Sequence, residues 1–252
     1  MTRPRLPPTG MLERCALSTP NPSALVERFL RRDPRHLPPL YVTAGTDGSA
    51  YAAIIEATHP ALESAHGTRL TRQKDGFIWQ KHVLRNAPAY IGQRLPAAWA
   101  GALHGLPAFI CGAGPSLDVS LPALAAAADR AVIFSADSAL RALARHGVAA
   151  DFAVSIDAAK VPEKCLPSTH LPVRAVLASV SPSAWQTALP AAQTFFLSGP
   201  QVTHDWFATR GVPRTALAVA ESCVCTALRL AHHLGCDPIY LFGMDLAFDP
   251  AN

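Results

Sequence analysis

The sequence has no apolar run approaching the ~20 residues that a bilayer span requires, although 50% of its 252 residues are hydrophobic. That combination leaves a chain with enough apolar surface for one sizeable core, or for a core and a smaller region. Its opening, Met1-Thr-Arg-Pro-Arg-Leu-Pro-Pro, is too rich in proline and too short in apolar residues for a secretory leader, so a cytoplasmic protein without membrane attachment is expected. The six cysteines, Cys15, Cys111, Cys165, Cys223, Cys225 and Cys236, form no CxxC pair and no zinc spacing. They are expected to be reduced residues of the core, with no metal assigned. Charge is also scarce, at 16% of residues and a formal +4. Basic residues are scattered apart from Arg28, Arg31, Arg32 and Arg35, which read as a solvated helix end, so a nucleic-acid partner is not expected. HExxH, a nucleophile elbow and a Cys-His arrangement are all missing, which removes support for hydrolytic chemistry. No internal repeat is present.

What is there falls into two parts. Residues 1–104 are rich in proline and poor in long β-branched runs, with Tyr51 to Ala57 and Gly76 to Leu84 as the clearest ordered stretches; they read as a smaller, mixed N-terminal subdomain. After the boundary at Gly101-Ala-Leu-His-Gly-Leu-Pro107, residues 105–252 alternate short apolar runs with helical stretches. The predicted strands are Ala108 to Cys111, Ala131 to Ser135, Phe152 to Ile156, Val173 to Ala178, Thr194 to Leu197 and Ile239 to Phe242. Runs that apolar suit strands buried on both faces, and their alternation with helices predicts a Rossmann-like α/β fold, a mostly parallel sheet with helices on both faces. Helices are predicted over Ser138 to His146 and Ser222 to Leu234, each stopped by a glycine, Gly147 and Gly235, where a left-handed C-cap would sit.

In such a sheet ligands bind beyond the carboxyl ends of the strands. The first strand runs into Gly112-Ala113-Gly114-Pro115-Ser116-Leu117-Asp118. Its glycines would let backbone N–H groups approach an anion, and Ser116 could cap the helix that follows. The loop has neither the Lys-Ser/Thr ending of a P-loop nor the third glycine of a dinucleotide fingerprint. Taken alone it reads equally well as a diphosphate loop or as a tight strand-to-helix turn. Further strands end at Asp137, Asp157 and Asp245. These carboxylates suit ribose hydroxyls or Mg²⁺ held against a diphosphate, while Asp137 alone also suits a helix cap. His232 and His233 read as a structural pair late in a helix, and His204 as a better pocket candidate by position.

The order Gly112 to Asp118, then Ser135-Ala-Asp-Ser-Ala-Leu, then His146-Gly-Val-Ala-Ala-Asp-Phe-Ala-Val-Ser-Ile-Asp157, resembles the 6-hydroxymethylpterin diphosphokinase MptE-like family, which includes bacterial motility accessory factors. Glu221 to Phe248, with its serine-led helix and Gly-x-Asp-Leu-Ala ending, is a second match. Asp75 to Asn86 is similar to the segment ahead of the core in the motility-factor branch, and the resemblance covers roughly residues 76 to 252. The same signatures also resemble bacterial sialyltransferases that use CMP-activated sugars. Carried over residue by residue, this implies that Gly112, Gly114, Pro115 and Ser116 lie at a nucleotide phosphate, that Asp137, Asp157 and Ser222 line the nucleotide pocket, and that Asp245 supports its far side. Those transferases tend to have asparagine at the positions of Asp137 and Asp157, and their general base lies beyond the Gly-x-Asp strand.

The resemblance implies a nucleotide-sugar-dependent glycosyltransferase-like domain that moves a nonulosonic sugar from a CMP donor to a protein Ser or Thr, flagellin being the candidate acceptor. Its catalytic end is expected to be missing from this chain, and no catalytic residue is assigned. One alternative is ATP- and Mg²⁺-dependent diphosphate transfer of the pterin diphosphokinase kind. Another is a non-catalytic nucleotide-binding fragment.

Overall fold

The computed structural model describes residues 48–168, 173–199, 201 and 203–247. Cys15, the Arg28 to Arg35 cluster and the segment from Phe248 to Asn252 lie outside the described residues. The chain divides into two units, Met1–Asp75 and Gly76–Asn252, and the second carries the sheet. Helix α1 (Gly48–Gly92) contains both ordered stretches that the sequence singled out before the core.

Six strands follow: β1 (Ala108–Cys111), β2 (Val132–Ala136), β3 (Phe152–Ser155), β4 (Arg174–Ala178), β5 (Thr194–Leu197) and β6 (Ile239–Phe242). They form one sheet in the order β5-β4-β3-β2-β1-β6, and every pairing is parallel. Each strand is only four or five residues long, short for a sheet; β1 to β5 hold their place through side chains buried on both faces, whereas the edge strand β6, expected from its apolar run to be buried likewise, leaves Tyr240 and Leu241 each 51% exposed. Along β1, Phe109 and Cys111 pack into one core cluster, while Ala108 and Ile110 pack into the other. This two-sided burial is what turns the runs fully apolar instead of alternating.

The helices supply the two covers. On the first face lie α2 (Ser116–Ala125), which buries Leu117, Leu121 and Leu124, and α3 (Leu140–Arg145), which buries Leu140 and Leu143. Between β3 and β5 come the single turns α4 (Pro162–Cys165) and α5 (Trp185–Ala188). After β5 comes α6 (Thr203–Ala208). The second face is covered by α7 (Cys223–His233), whose Ala227, Leu230 and Ala231 fill the other cluster. Gly147 and Gly235 follow α3 and α7 with φ of 72° and 84°, the left-handed conformation that lets a helix end in a glycine cap.

The last turns of α1 dock across the carboxyl ends of β4 and β5. Asn86 Nδ2 donates to the carbonyls of Ser179 and Ser181, both at 2.8 Å, and its Oδ1 accepts from Gln186 Nε2. Tyr90 OH and Ser198 Oγ are 2.7 Å apart, and His82 Nδ1 donates to the Val180 carbonyl at 2.7 Å. Asn86 and Tyr90 are each 1% exposed, so these bonds satisfy groups that water cannot reach. The strand order reverses between β1 and β6.

Candidate functional site at the carboxyl edge of the sheet

The glycine loop and the loop after β6 fit into each other. Gly112 N–H donates to the Phe242 carbonyl at 2.8 Å, Gly114 N–H to the Gly243 carbonyl at 2.9 Å, and Ser116 N–H to Asp245 Oδ2 at 2.9 Å. Alternate amides of the loop are thus spent on its neighbour. A Cβ on Gly112 would stand 2.4 Å from the Gly243 oxygen, and one on Gly114 would stand 2.2 Å from Asp245 Oδ2. The two glycines are therefore needed for the approach of the β6 loop, whatever else they bind. Gly243, at φ 62°, makes the corresponding turn.

Ser116 is the first residue of α2 and Pro115 occupies the cap position, with no side-chain cap bond. The capping that the sequence assigned to the Ser116 side chain is instead performed from across the sheet by Asp245. The hydroxyl and amide of Ser116 hold the Asp245 carboxyl below its ordinary range. A carboxylate at the first turn of a helix is favourably placed against the helix dipole.

Asp137, 2% exposed, accepts from Ser155 Oγ at 2.8 Å through Oδ2 and from Ser138 Oγ at 3.0 Å through Oδ1. Cys223 Sγ lies 3.7 Å from Oδ2. Asp137 begins a single 3₁₀ turn without a side-chain cap bond, so the capping alternative does not hold. Burial first, and the Asp137 charge second, push the Cys223 thiol up to about 12. The same two causes in the same order push Cys165 up to about 11. Both thiols are inert as nucleophiles near neutral pH.

Asp157 is exposed and closes its own turn, accepting from Ala159 N–H at 2.8 Å. Lys160 joins that turn to Asp137. Its N–H donates to the Asp157 carbonyl at 3.3 Å, and its Nζ reaches Ser138 Oγ at 3.2 Å. Trp185 Nε1 fixes the loop by donating to the Lys160 carbonyl at 2.8 Å.

Ser222 is the N-cap of α7, accepting from Cys225 N–H at 3.1 Å; a hydroxyl that accepts this bond still has a proton to donate. The first turn of α7 stands between the two groups just described. Cys223 faces Asp137, while Val224 Cγ2 lies 3.4 Å from where a Gly112 Cβ would be. The structure thus gathers Gly112, Gly114, Pro115, Ser116 and Asp245 on one side of that turn, and Asp137, Ser138 and Ser155 on the other. Asp157 is linked to the second group, through Lys160. Among the described residues no three Asp, Glu, His or Cys side chains converge on a point where they could hold a metal ion.

His204 is placed apart from this edge. It is 1% exposed, with Nε2 2.7 Å from Ser179 Oγ and its ring against Tyr90 and Phe207. Burial first, then the Arg214 charge, lowers its pKa to about 4, so it is a neutral core histidine. The sequence reading passed over Ser155 and Lys160. A signal for the first was available, since Ser135, Ser155, Ser179 and Ser198 recur at the carboxyl ends of four successive strands, all fully buried.

An all-parallel doubly wound sheet with a glycine loop and strand-end acids at its point of strand reversal defines the chain as a Rossmann-like α/β protein. It belongs to the 6-hydroxymethylpterin diphosphokinase MptE-like family, whose model matches residues 81–250. Among solved structures it is similar to a MAf glycosyltransferase from Magnetospirillum magneticum AMB-1, at 21% identity and a TM-score of 0.49, over 77% of this chain and 32% of that one. The chain therefore spans about a third of that protein's length. No curated protein matches it. Among the described residues no helix is long and apolar enough to cross a membrane.

Proposed function

We propose that the chain is the nucleotide-binding core of a glycosyltransferase of the motility-accessory-factor type, acting in the cytoplasm. It takes a nonulosonic sugar from a CMP donor and passes it to a protein Ser or Thr, flagellin being the candidate acceptor. The observation that carries this reading is the first turn of α7, which stands between the glycine loop and Asp137. It brings two helix N-termini, those of α2 and α7, to one edge of the sheet, an arrangement suited to an anionic nucleotide. The motif resemblance supplies the donor class.

In the reaction the bond from the sugar's anomeric carbon to the CMP phosphate oxygen breaks, and the acceptor hydroxyl oxygen bonds to that carbon and gives up its proton to a base. The Ser222 hydroxyl and the α7 N-terminus would stabilise charge on the departing phosphate, and Asp137, held by Ser155 and Ser138, would accept from a ribose hydroxyl. A turnover assay with a CMP-nonulosonate and flagellin, run on the full-length gene product, tests this. Transfer that falls on Ser222→Ala supports the reading, and a blank result from active, folded protein contradicts it.

A second reading, diphosphate transfer from ATP with Mg²⁺, is favoured by the family's description and by the strand-end positions of Asp137 and Asp157. Strict Mg²⁺ dependence of ATP binding, lost on Asp137→Ala, would select it over the first.

A further inference from the structure

Among the described residues, the outward face of the last turns of α1 carries a row of side chains left exposed. Phe77, Lys81, Leu84, Pro88 and Ile91 follow one another at spacings of four and three, and all five are exposed. The apolar members are 82%, 60% and 48% exposed for Phe77, Leu84 and Ile91. The inward face of the same turns is already occupied by Val83, Asn86 and Tyr90, which are buried. A four-three alternation is the 3.5-residue repeat of a helix seam that meets another helix. From Phe77 to Ile91 it extends about 21 Å, at ~1.5 Å per residue.

Charge restricts what could lie on it. Residues 76–92 contain Lys81 and Arg85 and no Asp or Glu. A second copy would set basic residues against basic ones. Residues 1–47 hold seven Arg and four acids, so the chain's own beginning has the same sign. Beside this column only Ile78, 42% exposed, adds a large apolar side chain on the described turns from 76 to 92, so the stripe stays narrower than the broad apolar face with which an interfacial helix enters a bilayer. We infer that this seam docks an amphipathic helix of a partner protein, one with apolar residues at the same spacing and Asp or Glu flanking them. The apolar knobs would pack against Phe77, Leu84 and Ile91, and the acids would pair with Lys81 and Arg85. This inference is independent of the reaction assigned to the sheet edge.

The test is fluorescence anisotropy of the full 252-residue chain with two synthetic helical peptides. Both carry Leu and Ile on the four-three spacing, one flanked by Glu and the other by Lys. The Glu peptide binds and the Lys peptide does not. Leu84→Asp and, separately, Ile91→Asp weaken the Glu peptide by about tenfold or more, with circular dichroism and melting temperature unchanged, because both positions face solvent. Lys81→Glu combined with Arg85→Glu reverses the preference between the peptides. The proposal is overturned by failure of both peptides to bind, by equal binding of the two, or by indifference to Leu84→Asp. It is equally overturned by a wild-type dimer in sedimentation that Leu84→Asp dissociates, or by binding to phosphatidylserine vesicles in place of the peptide.

Discussion

A methyl group on Gly112 would press into the Gly243 carbonyl oxygen at 2.4 Å, and neither partner is a flexible side chain that could swing aside. Gly112→Ala must therefore part the β1 and β6 loops. Overpacking of this kind costs about 2 kcal/mol, which lowers the melting temperature by roughly 4–8 °C in a domain of this size; a thermal melt of the variant checks it. Gly114→Ala meets the Asp245 carboxylate at 2.2 Å and the Gly243 carbonyl oxygen at 2.8 Å, so it strains the same β6 loop, and the effect expected is milder because the backbone contact is longer and the carboxylate can swing aside. His204 supplies a pH test. Its folded pKa, about 4 against an ordinary 6.5, means that the unfolded chain takes up a proton that the folded one refuses. Its contribution is thus flat above pH 6.5 and turns against the fold as pH falls from there to about 4, by about 3 kcal/mol in all. Urea unfolding at pH 7 and pH 4.5 should show that slope in the wild type and lose it in His204→Gln. The strand-end rule found Asp137 and Asp245 in the sequence. Their partners Ser155 and Ser116 hydrogen-bond across chain separations of 18 and 129 residues, and no local pattern encodes a contact of that kind.

At the level of elements, strands were the legible part, because four apolar residues in a row between turn signals admit few other readings. β1, β5 and β6 lie where the sequence placed them, β2 is shifted by one residue at both ends, and β3 and β4 are each one residue shorter at one end. Serines caused part of that difference, since Ser135 continues into Ala136 as strand while Ile156 leaves it. Helix α7 was legible from both ends, through Ser222 and Gly235. Helix α1 was not, because Pro60 and Pro88 interrupt the propensity signal and its inward face is partly polar, with Asn86 bonded to the carbonyls of Ser179 and Ser181. Two substitutions test how these elements are held. Ser222→Ala removes the α7 cap and should lower stability by about 1 kcal/mol. Asn86→Ala leaves the Ser179 and Ser181 carbonyls without that donor and should cost about 2 kcal/mol or more. Hydrogen exchange would assign the Asn86→Ala loss to the last turns of α1, while the Ser222→Ala loss stays within the first turn of α7.

For the whole molecule, the sheet closes one end and presents the other. The last turns of α1 cover the carboxyl ends of β4 and β5, whereas the first turn of α7 lies against the loops that follow β1 and β2. In the function proposed above, this edge binds a nucleotide by its phosphate without a shared metal ion. Asp245 bears on it directly, since its carboxylate already holds the Ser116 amide at the start of α2. An incoming phosphate meets a like charge there, screened by solvent at an exposed site. The most direct measurement is a thermal-shift titration of the chain and of Asp245→Asn with CMP, cytidine and ATP, each with and without Mg²⁺, because a ligand that binds only the folded state raises the melting temperature. Expected are a metal-independent shift with CMP, a smaller one with cytidine, and a gain in apparent CMP affinity for Asp245→Asn. A shift seen only with ATP and Mg²⁺, or equal shifts for CMP and cytidine that Asp245→Asn leaves unchanged, would contradict this binding mode.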